Sequence, residues 1–354
     1  MSDDTSSATV ASARPGLLRT LAHRLAGDED VLPVEGHLPQ FTGATAWLNS
    51  DPLTPEGLRG RVVLVDFWTY TCINWLRTFP YVRAWAAKYA EHGLTVIGAH
   101  TPEFGFEHDL DNVTARSREF GVAYPIAVDS DYGVWTAFTN HFWPAVYIAD
   151  ADGRIRYHHF GEGEYAMTEM VIQQLLLEAG MDGFDPELVS VKPAGFEVPA
   201  DWSTLRTPET YLGLRQTTGY ASTEDPRFDR PHVYPDTDRL PLNGWAPIGP
   251  WALASHAAVS ADTGARIAFR FQARDVNLVM GPASRGETIP LRVRLDGEAP
   301  GDAHGDDVDP GGAGTLADQR LYQLIRRPKP ADRPSLFEIE FLAEGAEAYC
   351  FTFG

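Results

Sequence analysis

The sequence predicts an α/β domain followed by an all-β sandwich, and three observations predict it. Strand-length apolar runs alternate with amphipathic stretches from Gly36 to Gly180. After about residue 208 the helical period stops, and short runs of alternating apolar and polar residues follow, separated by Gly, Pro and Asp turns. The chain has 354 residues, 44% of them hydrophobic, which is enough for two separate cores.

The elements follow in order. Residues 1–35 read as a lead-in, in which Leu17, Leu18, Leu21 and Leu25 have helical spacing. In the α/β domain, residues 36–180, Val62 to Trp68 reads as a buried strand, 73–92 as a helix and Leu94 to Ala99 as a second buried strand. A helix over 107–120, a strand at Tyr124 to Val128 and a helix over 131–138 come next. Ala145 to Ala149 and Ile155 to Phe160 flank Asp150-Ala151-Asp152-Gly153, a hairpin turn signal. Residues 165–179 form a last helix with an apolar face of Met167, Met170, Val171, Leu175 and Leu176. Residues 181–206 are Pro- and Gly-punctuated and read as a linker. Residues 207–354 carry strands at Ala265–Phe271, Val276–Met280, Ile289–Leu295, Leu321–Ile325, Leu336–Leu342 and Ala348–Phe353, which suggest a jelly-roll-like β-sandwich.

Composition excludes several functions. Lys+Arg number 29 and Asp+Glu 49, a net charge of −20, which argues against nucleic-acid binding and against docking on anionic lipid. No apolar run approaches the ~20 residues of a membrane span. The polar, acidic start MSDDTSSATVASARP lacks the features of a signal peptide, so a cytoplasmic location is expected. Two cysteines exclude a disulfide scaffold and a Cys-rich zinc site, and neither a metal nor an organic cofactor is expected.

The chemistry concentrates in Asp66-Phe67-Trp68-Thr69-Tyr70-Thr71-Cys72-Ile73-Asn74-Trp75. A buried strand ends, a short loop follows, and a cysteine stands where a helix begins. Unpaired N–H groups and the helix dipole favour thiolate there, so Cys72 is a candidate nucleophile rather than an inert buried thiol.

This segment resembles the thioredoxin superfamily, through Asp66-Phe67-Trp68, Cys72 six residues after Asp66, and Pro80 eight beyond that. The resemblance extends to about residue 180 and is to redoxins of the TlpA and DipZ type, an AhpC/TSA-like domain. It rests also on His100-Thr101-Pro102-Glu103-Phe104 and Tyr157-His158-His159-Phe160-Gly161-Glu162-Gly163. The part ending Phe351-Thr352-Phe353-Gly354 is similar to the carbohydrate-binding-module-like domain that follows the redoxin domain in DipZ proteins. The resemblance implies a thioredoxin fold with an extra strand and helix before a cis-proline, here Pro144. It implies that the Pro144 backbone aligns a substrate beside Cys72, with Trp75 and Trp143 as near neighbours and substrate-contacting candidates. Asp66 would handle protons for the resolving thiol.

One departure stands out: where the family has Cys-x-x-Cys, this chain has Cys72-Ile73-Asn74-Trp75. A dithiol oxidoreductase needs its second thiol to release the mixed disulfide. The sequence therefore predicts a single-cysteine redox protein acting on a disulfide or a peroxide and resolved by an external thiol or dithiol. The alternative is a redox-inactive fold that binds a peptide or glycan through a Trp75/Trp143 groove. Thr69, three residues before Cys72, has a peroxiredoxin-like spacing and is a candidate for holding peroxide, or else lines the loop. Cys350 alternates within a strand and reads as sandwich core, remote from Cys72. His158 and His159 would point to opposite faces of a strand, which disfavours a metal pair. The acidic loop of Asp302, Asp306, Asp307 and Asp309 reads as solvated, and Trp202, Tyr211, Tyr220, Trp245 and Trp251 read as core and interdomain packing before sugar-stacking platforms.

Overall fold

The computed structural model describes residues 32–237 and 239–354, and the helix expected near Leu17 to Leu25 lies outside them. In the first domain, strand β3 (Val62–Trp68) is buried along its whole length. Its residues alternate between two cores, with Leu64 and Trp68 on one face and Val63, Val65 and Phe67 on the other. A strand covered on both faces needs this continuous apolar run. Helix α1 (Ile73–Tyr89) leaves β3 through the loop 69–71 and buries Trp75, Leu76, Phe79 and Val82 against the first face. The other described elements are β1 (Gly36–His37), β2 (Ala46–Leu48), β4 (Leu94–His100), α2 (Leu110–Phe120), β5 (Ile126–Val128), α3 (Gly133–Ala137), β6 (Ala145–Ala149), β7 (Arg154–Phe160) and α4 (Tyr165–Glu178).

The sheet order is β1-β7-β6-β3-β4-β5-β2. Strands β3, β4 and β5 are parallel, whereas β6 runs antiparallel beside β3 and β7 antiparallel beside β6. This is a thioredoxin fold, with β5 and α3 as the extra strand and helix ahead of β6. The Trp143–Pro144 peptide bond is cis.

The second domain is built from antiparallel strands in two layers. One layer holds β15 (Ala313–Leu316), β14 (Ile289–Leu295), β17 (Ser335–Phe341) and β12 (Ala265–Phe271); the other holds β11 (Ala258–Ser260), β18 (Ala346–Phe353), β13 (Asp275–Pro282) and β16 (Arg320–Arg326). Strand β10 (Trp245–Leu253) joins them, since residues 245–248 pair with β12 and residues 251–253 with β11. Short strands β8 (Thr210–Tyr211) and β9 (His232–Tyr234) pair with β18 and β10. Phe269, Phe337 and Phe351 meet edge-on between the layers. No described helix is long and apolar enough to cross a membrane.

Residues 181–206 do not hang free between the domains. The Val189 amide donates to the Glu169 carboxylate of α4, and Met181, Phe184 and Phe196 pack on the first domain's core.

Candidate functional site

Cys72 is the N-cap residue of α1. Its amide donates to the Thr69 carbonyl, which closes the loop after β3, and its own carbonyl starts the helix by accepting from Leu76. The register Phe67↔Ala145 sets Pro144 beside Trp68, at the end of the sheet from which the loop to Cys72 departs. Asp66, opposite Val146, lies one step deeper in the same strand pair and is fully buried.

Trp75 is not the substrate-contacting surface the sequence suggested. It has no solvent exposure, stacks on Trp68 at 4.3 Å and packs on Phe79 at 4.8 Å. Its indole N–H donates to Asp66 Oδ2 at 2.9 Å. The position one helical turn past Cys72 points into the core here, so an aromatic ring fills it. Trp143 is half-buried against Trp135, and its indole donates to the Thr101 carbonyl. Thr69 is buried, with its hydroxyl beside Glu107, whose carboxylate accepts from Thr71 Oγ1 at 2.7 Å.

The electrostatics correct a second expectation. The amides of Asn74 and Trp75 do face the Cys72 sulfur and favour its thiolate. Burial outweighs them. With Cys72 only 8% exposed and the Glu103 and Glu209 carboxylates nearby, the thiol is pushed well above its ordinary range. Burial pushes the Asp66 carboxyl up to about 7, against the Trp75 hydrogen bond and the nearby Tyr124 hydroxyl. Burial next to Glu209 and Glu107 pushes Glu103 up to about 8, while Tyr211 acts the other way. His100, buried between Trp68 and Tyr70, is driven down to about 3 and stays neutral.

Cys350 corrects a third. It is buried, but not in the sandwich core. Ala348, Phe351 and Phe353 of β18 belong to the core between the two layers, whereas Tyr349 and Cys350 belong to the apolar cluster that holds Cys72. Val279 pairs with Cys350 and Met280 with Ala348, so Tyr349 is an extra residue, a β-bulge. The bulge turns Tyr349 and Cys350 toward the first domain. Around them, Tyr349 packs on Phe104 at 5.3 Å and Phe106 at 5.1 Å, and the Tyr211 hydroxyl donates to Glu103. Arg77 of α1, buried, reaches Glu162 at 3.0 Å and the Phe353 carbonyl of β18 at 3.1 Å. Sequence reasoning passed over Glu103, Tyr211 and Arg77 as site residues, and the run His100–Phe104 was the one signal that pointed to Glu103.

Of the remaining candidates, Trp245 and Trp251 are buried in the sandwich as expected, whereas Trp202 is exposed, against the packing role expected of it. Asp307 pairs with Arg320, and Asp309 accepts from the Ala313 amide within its own turn. Among the described residues no three His, Cys, Asp or Glu side chains come together in a way that could hold a metal ion.

A cysteine capping the helix that follows the central strand, beside a cis-proline, defines a thioredoxin-like protein with a β-sandwich attached. Residues 207–354 match the family model of the thioredoxin like C-terminal domain. The chain is 38% identical over 251 residues to protein DipZ of Mycobacterium tuberculosis, a match covering 70% of this chain and 35% of DipZ. It is 29% identical over 141 residues to the thiol-disulfide oxidoreductase YkuV of Bacillus subtilis, covering 40% of this chain and 95% of YkuV. A solution structure of a thioredoxin-like protein in the oxidized form shares 31% identity, with 41% of this chain and 97% of that chain covered and a TM-score of 0.38. The chain thus pairs a thioredoxin-like domain with the thioredoxin like C-terminal domain and is similar to DipZ over 35% of DipZ's length, and tryptophan stands at the motif's second cysteine.

Proposed function

We propose that this chain is a thiol–disulfide redox protein in which Cys72 is the nucleophile. The observation that carries the reading is the placement of Cys72 at the α1 N-cap, with the Asn74 and Trp75 amides toward its sulfur and Pro144 at the neighbouring strand start. The name of YkuV and the DipZ likeness support the same chemistry. Cys72 attacks a disulfide-bearing substrate, or a peroxide, and an external thiol or dithiol returns the protein to its reduced state. Helix α1 offers no second thiol, because Trp75 occupies its place.

The test is dithiothreitol-driven reduction of a protein disulfide, with wild type beside Cys72→Ser. Turnover in the wild type that Cys72→Ser abolishes supports the reading. One observation favours the alternative, a redox-inactive binding protein for a peptide or glycan: burial raises the Cys72 thiol. Equal, background turnover in both proteins would overturn the redox reading.

A further inference from the structure

We propose that Cys350 is the resolving thiol for Cys72, so that the β-sandwich supplies across the domain boundary the sulfur that α1 lacks. The inference rests on Cys72 being the nucleophile.

Three observations on geometry carry it. The bulge at Tyr349 turns Cys350 out of the sandwich core, and the same buried apolar cluster then holds both cysteines. The two elements that bear them are in direct contact: Arg77, five residues after Cys72, donates to the carbonyl of Phe353, three residues after Cys350. Tyr211, paired with Cys350 across the β8–β18 ladder, donates to Glu103 in the first domain. Burial raises both thiols, and the same two carboxylates, Glu103 and Glu209, add to it at each, with Cys72 itself acting on Cys350, so the two sulfurs share one set of neighbours.

The chemistry balances as two exchanges. The Cys72 thiolate attacks a substrate disulfide, forms a mixed disulfide and expels one substrate thiolate. The Cys350 thiolate then attacks the Cys72 sulfur, forms the Cys72–Cys350 bond and expels the second substrate thiolate. The two protons lost by the cysteines end on the two substrate thiols, and two electrons have passed to the substrate. An external dithiol reverses the exchange and restores both cysteines.

The full chain, reduced and then exposed to oxidised glutathione, tests this by mass spectrometry of the intact protein and its peptides without reduction. In the wild type the expected product has lost two hydrogens and yields a linked Cys72–Cys350 peptide. Cys350→Ser should instead trap glutathione on Cys72 at near one equivalent, and Cys72→Ser should form neither product. A wild type that accumulates glutathione on Cys72 with no linked peptide overturns the role of Cys350 and leaves Cys72 as nucleophile. A wild type in which neither cysteine reacts overturns both readings. The linked peptide is sought in the unaltered protein, so the test does not depend on a variant folding.

Discussion

Trp75 and Asp66 are coupled side chains, and the coupling has a pH signature. In the folded protein the Asp66 carboxyl is held near 7, against about 3.9 in an unfolded chain. Between those values the folded state keeps a proton that the unfolded chain has lost, so this contribution to stability is full below about 4 and is lost as pH rises through about 7. Asp66→Asn cannot ionise and still offers an oxygen to the Trp75 indole. It should raise the unfolding free energy at pH 8 by about 1–3 kcal/mol and change it little at pH 4, read from urea unfolding at the two pH values. A gain of equal size at both would show that ionisation is not the cause. Trp75→Cys restores the motif but empties a space that a stacked indole fills, and it leaves Asp66 without its donor. A loss of about 3–5 kcal/mol is expected from the cavity. Oxidation should recover part of it through a disulfide between Cys72 and the introduced thiol, so the check is the denaturation midpoint with and without reductant. The position of Cys72 at a helix start was legible, because a buried strand, a short loop and an amphipathic run set it. Its protonation was not legible, because part of the burial and charge that decide it comes from residues more than a hundred positions away.

Among the elements, the regular ones were readable and the irregular ones were not. Ala145–Ala149 and the helix from Tyr165 announce themselves by a continuous apolar run and by period. Strand β10, Trp-Ala-Pro-Ile-Gly-Pro-Trp-Ala-Leu, went unread because two prolines and a glycine signal a loop. Those residues are what let one strand serve two layers. Gly249 has φ +81, and from there the chain leaves β12 to pair with β9 and β11. A side chain at that φ is strained, and a Cβ would stand 3.1 Å from the Gly264 carbonyl oxygen. Gly249→Ala should therefore lower stability by about 1–2 kcal/mol, measured as a shift in the denaturant midpoint. An unchanged midpoint would mean that the bend relaxes without it. The bulge in β18 was equally hidden. Strict alternation assigns Cys350 to one face, and one extra residue at position 349 reverses the assignment.

At the scale of the whole molecule, the second domain packs against the segments that flank Cys72. Tyr349 and Tyr211 rest on the 101–108 segment, and Phe104 lies between them, 5.3 Å from Tyr349 and 6.3 Å from Tyr211. Arg77 fastens the other side. Replacing it with Met would leave Glu162 in place without its cation, at a cost of about 3–5 kcal/mol in the denaturation of the full chain. Phe104 gives the sharper test, because it separates local opening from global stability. Exposure of a buried thiol to a labelling reagent follows the free energy of the motion that uncovers it, and each ~1.36 kcal/mol is a factor of ten. Phe104→Ala removes the apolar contact that joins the second domain to the site, at the edge of the cluster that holds Cys72, while leaving the sandwich core intact. Labelling of Cys72 by an aromatic disulfide under native conditions should then quicken by about tenfold or more. Phe337→Ala, inside the sandwich core, should lower the unfolding midpoint of the chain yet leave Cys72 labelling near the wild-type rate. If both variants quicken labelling in proportion to their loss of stability, Cys72 is reached only by global unfolding, and the interface is a fixed wall rather than a cover that opens.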